Sequence, residues 1–160
     1  RLDRAFLGRT PDKGGLTFWI ARRRTGTWSL TRIADFFAGS SEFTAKYGSL
    51  TNRAFVTLIY TDVLGRAADP AGVDFWTGQL DKGRRTRGGV MVGFSESNEY
   101  KTKQANNVDA AVAHVFLLGR APTSAEVTTW ATRRTGGTGH DVLLGELLAS
   151  DAYAARIAAL

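Results

Sequence analysis

The chain has 160 residues, 43% of them apolar, enough for one ordinary domain or a short solenoid with a buried core, and this excludes wholesale disorder. It has no cysteine, which removes disulfides and thiolate metal sites, and no run approaches the roughly eighteen apolar residues of a membrane span. Twenty-one Lys and Arg against fifteen Asp and Glu leave +6, a balance that favours anionic partners such as polysaccharide, lipid headgroups or nucleic acid.

The first residue is Arg1 rather than Met and Ala5-Phe6-Leu7 read as the end of a helix, so we expect a fragment of a longer protein, with any secretion signal outside it. Leu7-Gly8-Arg9 follows, then Pro11 and Asp12, then a second helix carrying Trp19. Arg22, Arg23 and Arg24 close that helix. A turn holding Trp28 leads to Ser29, the expected cap of a third helix with Ile33, Phe36 and Phe37. A short fourth helix begins near Ser40 and bears Glu42 and Phe43.

The order then begins again. Phe55, Leu58, Ile59, Val63 and Leu64 keep helical spacing, and Gly65 follows where a left-handed C-terminal cap belongs. After Arg66, Asp69 and Pro70 suit the start of the next helix, which carries Val73, Trp76 and Leu80. Lys82, Arg84, Arg85 and Arg87 surround the turn. Thr86 caps a third helix with Val90, Met91 and Phe94, and Ser97, Glu99 and Tyr100 open a fourth. A third round runs through Leu118-Gly119-Arg120, Pro122, the capping box of Thr123 with Glu126, Trp130, Arg133 and Arg134. It ends with Leu143, Leu144 and Leu147, then Ser150 and Asp151-Ala152-Tyr153.

Leu-Gly-Arg therefore stands at 7–9, 64–66 and 118–120, with a tryptophan twelve residues after each Leu and an aromatic twenty-three or twenty-four residues after each tryptophan. Three markers at matching offsets read as an internal repeat. The expected fold is all-α: three stacked repeats of about 55 residues, at approximately 1–48, 52–104 and 107–160, each of about four short helices, in one array.

The pattern of Leu-Gly-Arg, then Asp or Pro-Asp, Gly-hydrophobic-x-aromatic/Trp and Ser-x-Glu-aromatic resembles the bacterial family termed domain of unknown function 4214. The clearest stretch is Val63 to Trp76, completed by Ser97-Asn98-Glu99-Tyr100. The resemblance implies a helical fold related to phycobilisome linker domains, which act as scaffolds. It also implies a place in large secreted or cell-surface bacterial proteins, with no general activity attached. The third round departs from the pattern at Thr123 and at Asp151-Ala152-Tyr153.

Trp19, Trp76 and Trp130 fall on amphipathic helices and read as core residues. Trp28 has no counterpart in the other rounds and reads as a possible exposed stacking contact. Arg9, Arg66 and Arg120 recur just past a helix end, where each guanidinium is expected to hold loose carbonyls and pair with a carboxylate, Glu42 and Glu99 being candidates. A basic cluster also returns between the second and third helices of every round. It comprises Arg22, Arg23 and Arg24, then Lys82, Arg84, Arg85 and Arg87, then Arg133 and Arg134. One cation at each helix end would satisfy the macrodipole, and the extra ones suggest a ladder able to follow a linear polyanion. Candidate ligand contacts are Arg22, Arg24, Arg84, Arg85, Arg87, Arg133, Arg134 and Trp28.

No catalytic residue, cofactor site or metal site is expected. His114 sits in an apolar helix, His140 in a Gly-rich turn, and no metalloprotease, phosphate-loop or calcium-loop spacing occurs. Nucleic acid is disfavoured, because no helix offers a row of exposed base-reading residues. The expectation is a non-catalytic extracellular or cell-surface module that contacts an acidic polysaccharide or cell-wall polymer. The rival is a structural spacer or oligomerisation domain that binds another protein.

Overall fold

The computed structural model describes residues 1–160 and is all-α, with no strand. The helices are α1 (Leu2–Leu7), α2 (Lys13–Arg24), α3 (Leu30–Ala38), α4 (Ser41–Tyr47), α5 (Asn52–Leu58), α6 (Pro70–Asp81), α7 (Arg87–Ser95), α8 (Asn98–Ala113), α9 (Ser124–Thr135), α10 (His140–Leu148) and α11 (Asp151–Ala158). Helix α5 runs on without a break as π-helix through Ile59–Leu64, and α8 does the same through His114–Leu118.

Side chains cap most of these helices. Ser29, Ser40, Thr51, Asp69, Thr86 and Ser150 each accept a backbone N–H three residues on, and Thr123 and Glu126 form the reciprocal capping box. At the other end, α1 and the two π-segments stop at Gly8, Gly65 and Gly119, all in the left-handed region with φ of 69°, 68° and 73°. A side chain there would crowd the preceding carbonyl, which is why glycine recurs at these three places.

The sequence reading sets a boundary between repeats near residues 104 to 107. Helix α8 passes straight through that point. No glycine or proline stands between Ser97 and Gly119 to stop it.

The chain divides into two compact units, Arg1–Arg9 with Phe18–Thr102, and Thr10–Thr17 with Lys103–Leu160. In the first, Phe6, Ile33, Ala34, Phe43, Phe55, Val56, Ile59, Val90, Met91 and Tyr100 are buried in one core. Each large apolar side chain so placed contributes about 1.5–3 kcal/mol. Helix α3 packs along α7 so closely that a Cβ on Gly88 would lie 2.3 Å from the backbone nitrogen of Asp35. Asp35 in turn accepts from Gly88 N at 2.8 Å and from Thr86 Oγ1 at 3.1 Å, which ties the start of α7 to α3. The second unit has a smaller core of Ala110, Ala113, Val127, Trp130 and Leu143.

Candidate functional site

Three turns join a tryptophan-bearing helix to the helix after it, and the basic residues singled out in the sequence lie in or beside them. In the α2–α3 turn the last carbonyls of α2 are met by the chain itself. Thr25 N and Thr25 Oγ1 reach Ala21 O, and Trp28 N reaches Arg22 O. The guanidinium groups are therefore not needed as caps. Arg22 lies 3.3 Å from the centroid of the Phe18 ring, and Arg23 and Arg24 are exposed. No ion pair reaches any of the three.

Trp28 is not the free stacking face expected of it. It is half-buried, with ring centroids 5.7 Å from Trp19 and 6.0 Å from Phe36, and Arg32 covers it at 4.3 Å. The reason lies in the sequence beside it: Phe36, a residue with no aromatic counterpart at Gly93 or Glu146, gives Trp28 something to pack on. Phe18, Trp19, Trp28 and Phe36 form one aromatic cluster at the surface, with Phe18 and Phe36 themselves exposed. Cation–π contacts of this kind hold arginine heads in place without neutralising them.

The α6–α7 turn follows the same plan. Arg84 N and Arg85 N both donate to Gln79 O, and the side chains of Lys82, Arg84 and Arg85 are exposed and free of ion pairs. Arg87 departs from the expected cluster. It turns inward, donating to Leu50 O and Asn52 Oδ1 with its guanidinium 5.1 Å from the Phe55 ring. Because it is the first residue of α7, its side chain leans back over the loop before α5.

The third turn corrects the expectation of a ladder. Arg133 makes a bidentate ion pair with Glu146, which raises the arginine's pKa and lowers the carboxylate's through the hydrogen bonds between them. Arg134 donates to Thr138 O at 2.8 Å and lies 4.0 Å from Asp109. Glu146 stands on α10 at the place filled by Phe36 and Gly93 in the other two rounds, so only here does a carboxylate answer the arginines. The free cations are thus concentrated in the two turns of the first compact unit.

Arg9, Arg66 and Arg120 each hold a carboxylate with two hydrogen bonds: Arg9 to Glu42 at 2.6 and 3.0 Å, Arg66 to Glu99 at 2.9 and 3.4 Å, Arg120 to Glu126 at 2.9 and 2.6 Å. The first two carboxylates come from the fourth helix, thirty-three residues on. In the last case Ala152 has replaced that glutamate, and the capping-box residue Glu126 serves instead. The carbonyls at the ends of α1 and of the second π-segment are met by other side chains, Lys46 Nζ on Leu7 O at 2.8 Å and Arg156 on Phe116 O.

Trp19 and Trp76 are half-buried against the first core, and Trp130 is buried in the second. A cavity of about 320 Å³ lies beside Trp130, lined also by His114, Glu126, Arg133, Glu146 and Leu147. His114 is buried, and its Nδ1 donates to Ala110 O at 2.8 Å, leaving Nε2 3.7 Å from Glu126 Oε1. Arg120, first of all, and then the Thr123 backbone hold the Glu126 carboxyl down to about 2, so it carries no proton near neutrality. No group of three His, Asp or Glu side chains is arranged to hold a metal ion.

The family described as Domain of unknown function (DUF4214) matches residues 34–104, the stretch from α3 through the arginine-rich α6–α7 turn and into α8. Among curated proteins and solved structures nothing matches the chain.

Proposed function

We propose a function for a chain that belongs, over residues 34–104, to the DUF4214 family: a non-catalytic extracellular or cell-surface module that binds an anionic polymer, an acidic polysaccharide or cell-wall component. The carrying observation is how the charge is distributed. Arg1, Arg9, Arg53, Arg66, Arg120, Arg133 and Arg134 have carboxylate partners, whereas Arg22, Arg23, Arg24, Lys82, Arg84 and Arg85 have none. Six unneutralised cations in two turns of one compact unit attract a polyanion by releasing its counterions. The aromatic cluster under Arg22 and Arg32 adds an apolar surface beside the charge.

The scaffold beneath these turns is read as three copies of one helical unit of about 55 residues. Three features support it. The left-handed glycine recurs at Gly8, Gly65 and Gly119, the side-chain caps fall at matching places, and the Arg–Glu bond spans the same thirty-three residues in the first two copies.

The test is co-sedimentation with acidic polysaccharide and with bacterial cell-wall material, from low salt to about 0.5 M, where exposed charge contacts fade. We expect binding that declines with salt, is lost in a variant with Ser at Arg22, Arg24, Arg84 and Arg85, and survives Ser at Arg133 and Arg134. Binding indifferent to the first set, or none at any salt, refutes the reading. Equal binding to duplex DNA refutes the choice of polymer.

A further inference from the structure

In the first compact unit, helices from matching places in the first two copies pack on each other. Helix α3 lies along α7, and α1 lies against the π-segment after α5, so the pair is built from the same two elements taken twice. The matching residues are buried on both sides: Phe6 and Val63 in one element, Ala34 and Met91 in the other. Like surface meeting like is the isologous arrangement of a twofold pair.

The third copy carries the same two elements, the π-segment after α8 and helix α10, and that face is open. Leu117 and Leu144, which match the buried residues just named, are only half-buried. Around them Val112, Phe116 and Leu148 are 45%, 54% and 46% exposed, and together they line a groove of about 330 Å³. Leu148 is the telling residue: its counterparts Ala38 and Ser95 are small and at least partly covered, yet here a large apolar side chain stands in water. Gly145, the counterpart of Asp35, has nothing within 4 Å of where a side chain would be, so α10 is bare at the point where α3 touches α7. Contiguous apolar faces of this kind mark interaction sites.

We propose that this face docks a second copy of the chain, with α10 and the adjoining π-segment of two molecules meeting about a twofold axis. The inference rests on the repeat reading above, which supplies the correspondence of helices, and is independent of polyanion binding. The occupant follows from the first unit, where the partner of this face is the same face of a sister copy. The steric detail also fits. In the first unit glycine meets aspartate, Gly88 against Asp35. In the pair, Asp141 stands at the first position and Gly145 at the second, so each crossing again sets one glycine against one aspartate.

Sedimentation equilibrium of the chain tests this, with an expected mass of twice 17.3 kDa. Phe116→Asp and Leu148→Asp should each return it to a single copy with unchanged helical circular dichroism. Gly145→Arg, which touches no core residue, should do the same, while Phe75→Asp, at an equally exposed aromatic on α6, should leave the pair intact. The chain has no cysteine, so Asp141→Cys and Gly145→Cys can be mixed, and a disulfide should form in the mixture and not in either variant alone. A species of 17.3 kDa at about 1 mM, or doubling that ignores the first three substitutions, overturns the proposal. A single-copy protein that still sediments with acidic polysaccharide overturns the pairing alone.

Discussion

Gly88→Ala and Gly78→Ala make the same chemical change in neighbouring helices of the first compact unit, and the structure gives them opposite signs. At Gly88 the added carbon would lie 2.3 Å from Asp35 N and 2.7 Å from Ala34 C, both backbone atoms that no rotamer change can move. Helices α3 and α7 must part by about 1 Å in an interior packed like a crystal. That overpacking costs about 1–3 kcal/mol, and the parting weakens the bond from Gly88 N to the Asp35 carboxylate by about 1 kcal/mol more. Alanine's better helix propensity returns at most about 1 kcal/mol, so the net loss is about 1–3 kcal/mol. Gly78, in the middle of α6, has nothing within 4 Å, so alanine there should stabilise by about 0.5–1 kcal/mol. Urea unfolding followed by tryptophan fluorescence reads this unit, because Trp19, Trp28 and Trp76 lie in it. Two compact units require two transitions in the fit, with midpoints compared at constant slope. A Gly88→Ala protein as stable as the parent, or a Gly78→Ala protein that is weaker, refutes the reasoning.

Two other perturbations test the electrostatics. Glu126→Ala removes the partner of Arg120 and one half of the capping box, and should cost the second unit about 1–2 kcal/mol at pH 7, after allowance for solvent screening. Because the folded carboxyl is depressed from 4.5 to about 2, its contribution is complete above about pH 4.5 and is lost as pH falls toward 2. Parent and variant should therefore converge in acid; a gap in calorimetric midpoint that persists at pH 2 contradicts the assignment. At the other extreme, burial pushes the Tyr100 phenol up to about 12, so its neutral form favours the fold below pH 10 and the advantage disappears as pH rises through 12. Tyr100→Phe should flatten the loss of stability over that alkaline window, and an unchanged profile by circular dichroism would count against it.

Helix positions were largely legible in the sequence because their signals are local. A Ser, Thr or Asp before an apolar run and a glycine after it act within four residues, and Ser29, Asp69, Thr86, Thr123 and Gly65 all do what their positions suggest. Helix α8 crosses the repeat boundary near residues 104 to 107 because repeat offsets mark units of sequence, whereas a helix stops only where a breaker stands. Partners distant along the chain were harder. Glu146 could have been found, since it is the one carboxylate that faces a basic turn from the following helix where Phe36 and Gly93 stand elsewhere. Lys46 and Arg156 also carried a signal, thirty-nine and thirty-eight residues after the leucines of their own Leu-Gly-Arg. The inward turn of Arg87 had none, because Leu50 O is a backbone group that any residue supplies.

The replacement of Glu99's counterpart by Ala152 and Glu126 changes the distance over which a loop is closed. Arg66 must wait for a carboxylate thirty-three residues away, whereas Arg120 finds one six residues away, on the first turn of the very next helix. Chain-closure entropy grows with the logarithm of length, so the shorter closure is favoured roughly tenfold. The turn after Gly119 can therefore set itself as soon as α9 has one turn, before α10 or α11 has formed. In a chain folding from local contacts outward, the turn after Gly119 therefore closes early, while the turn after Gly65 closes only once the helix bearing Glu99 is in place.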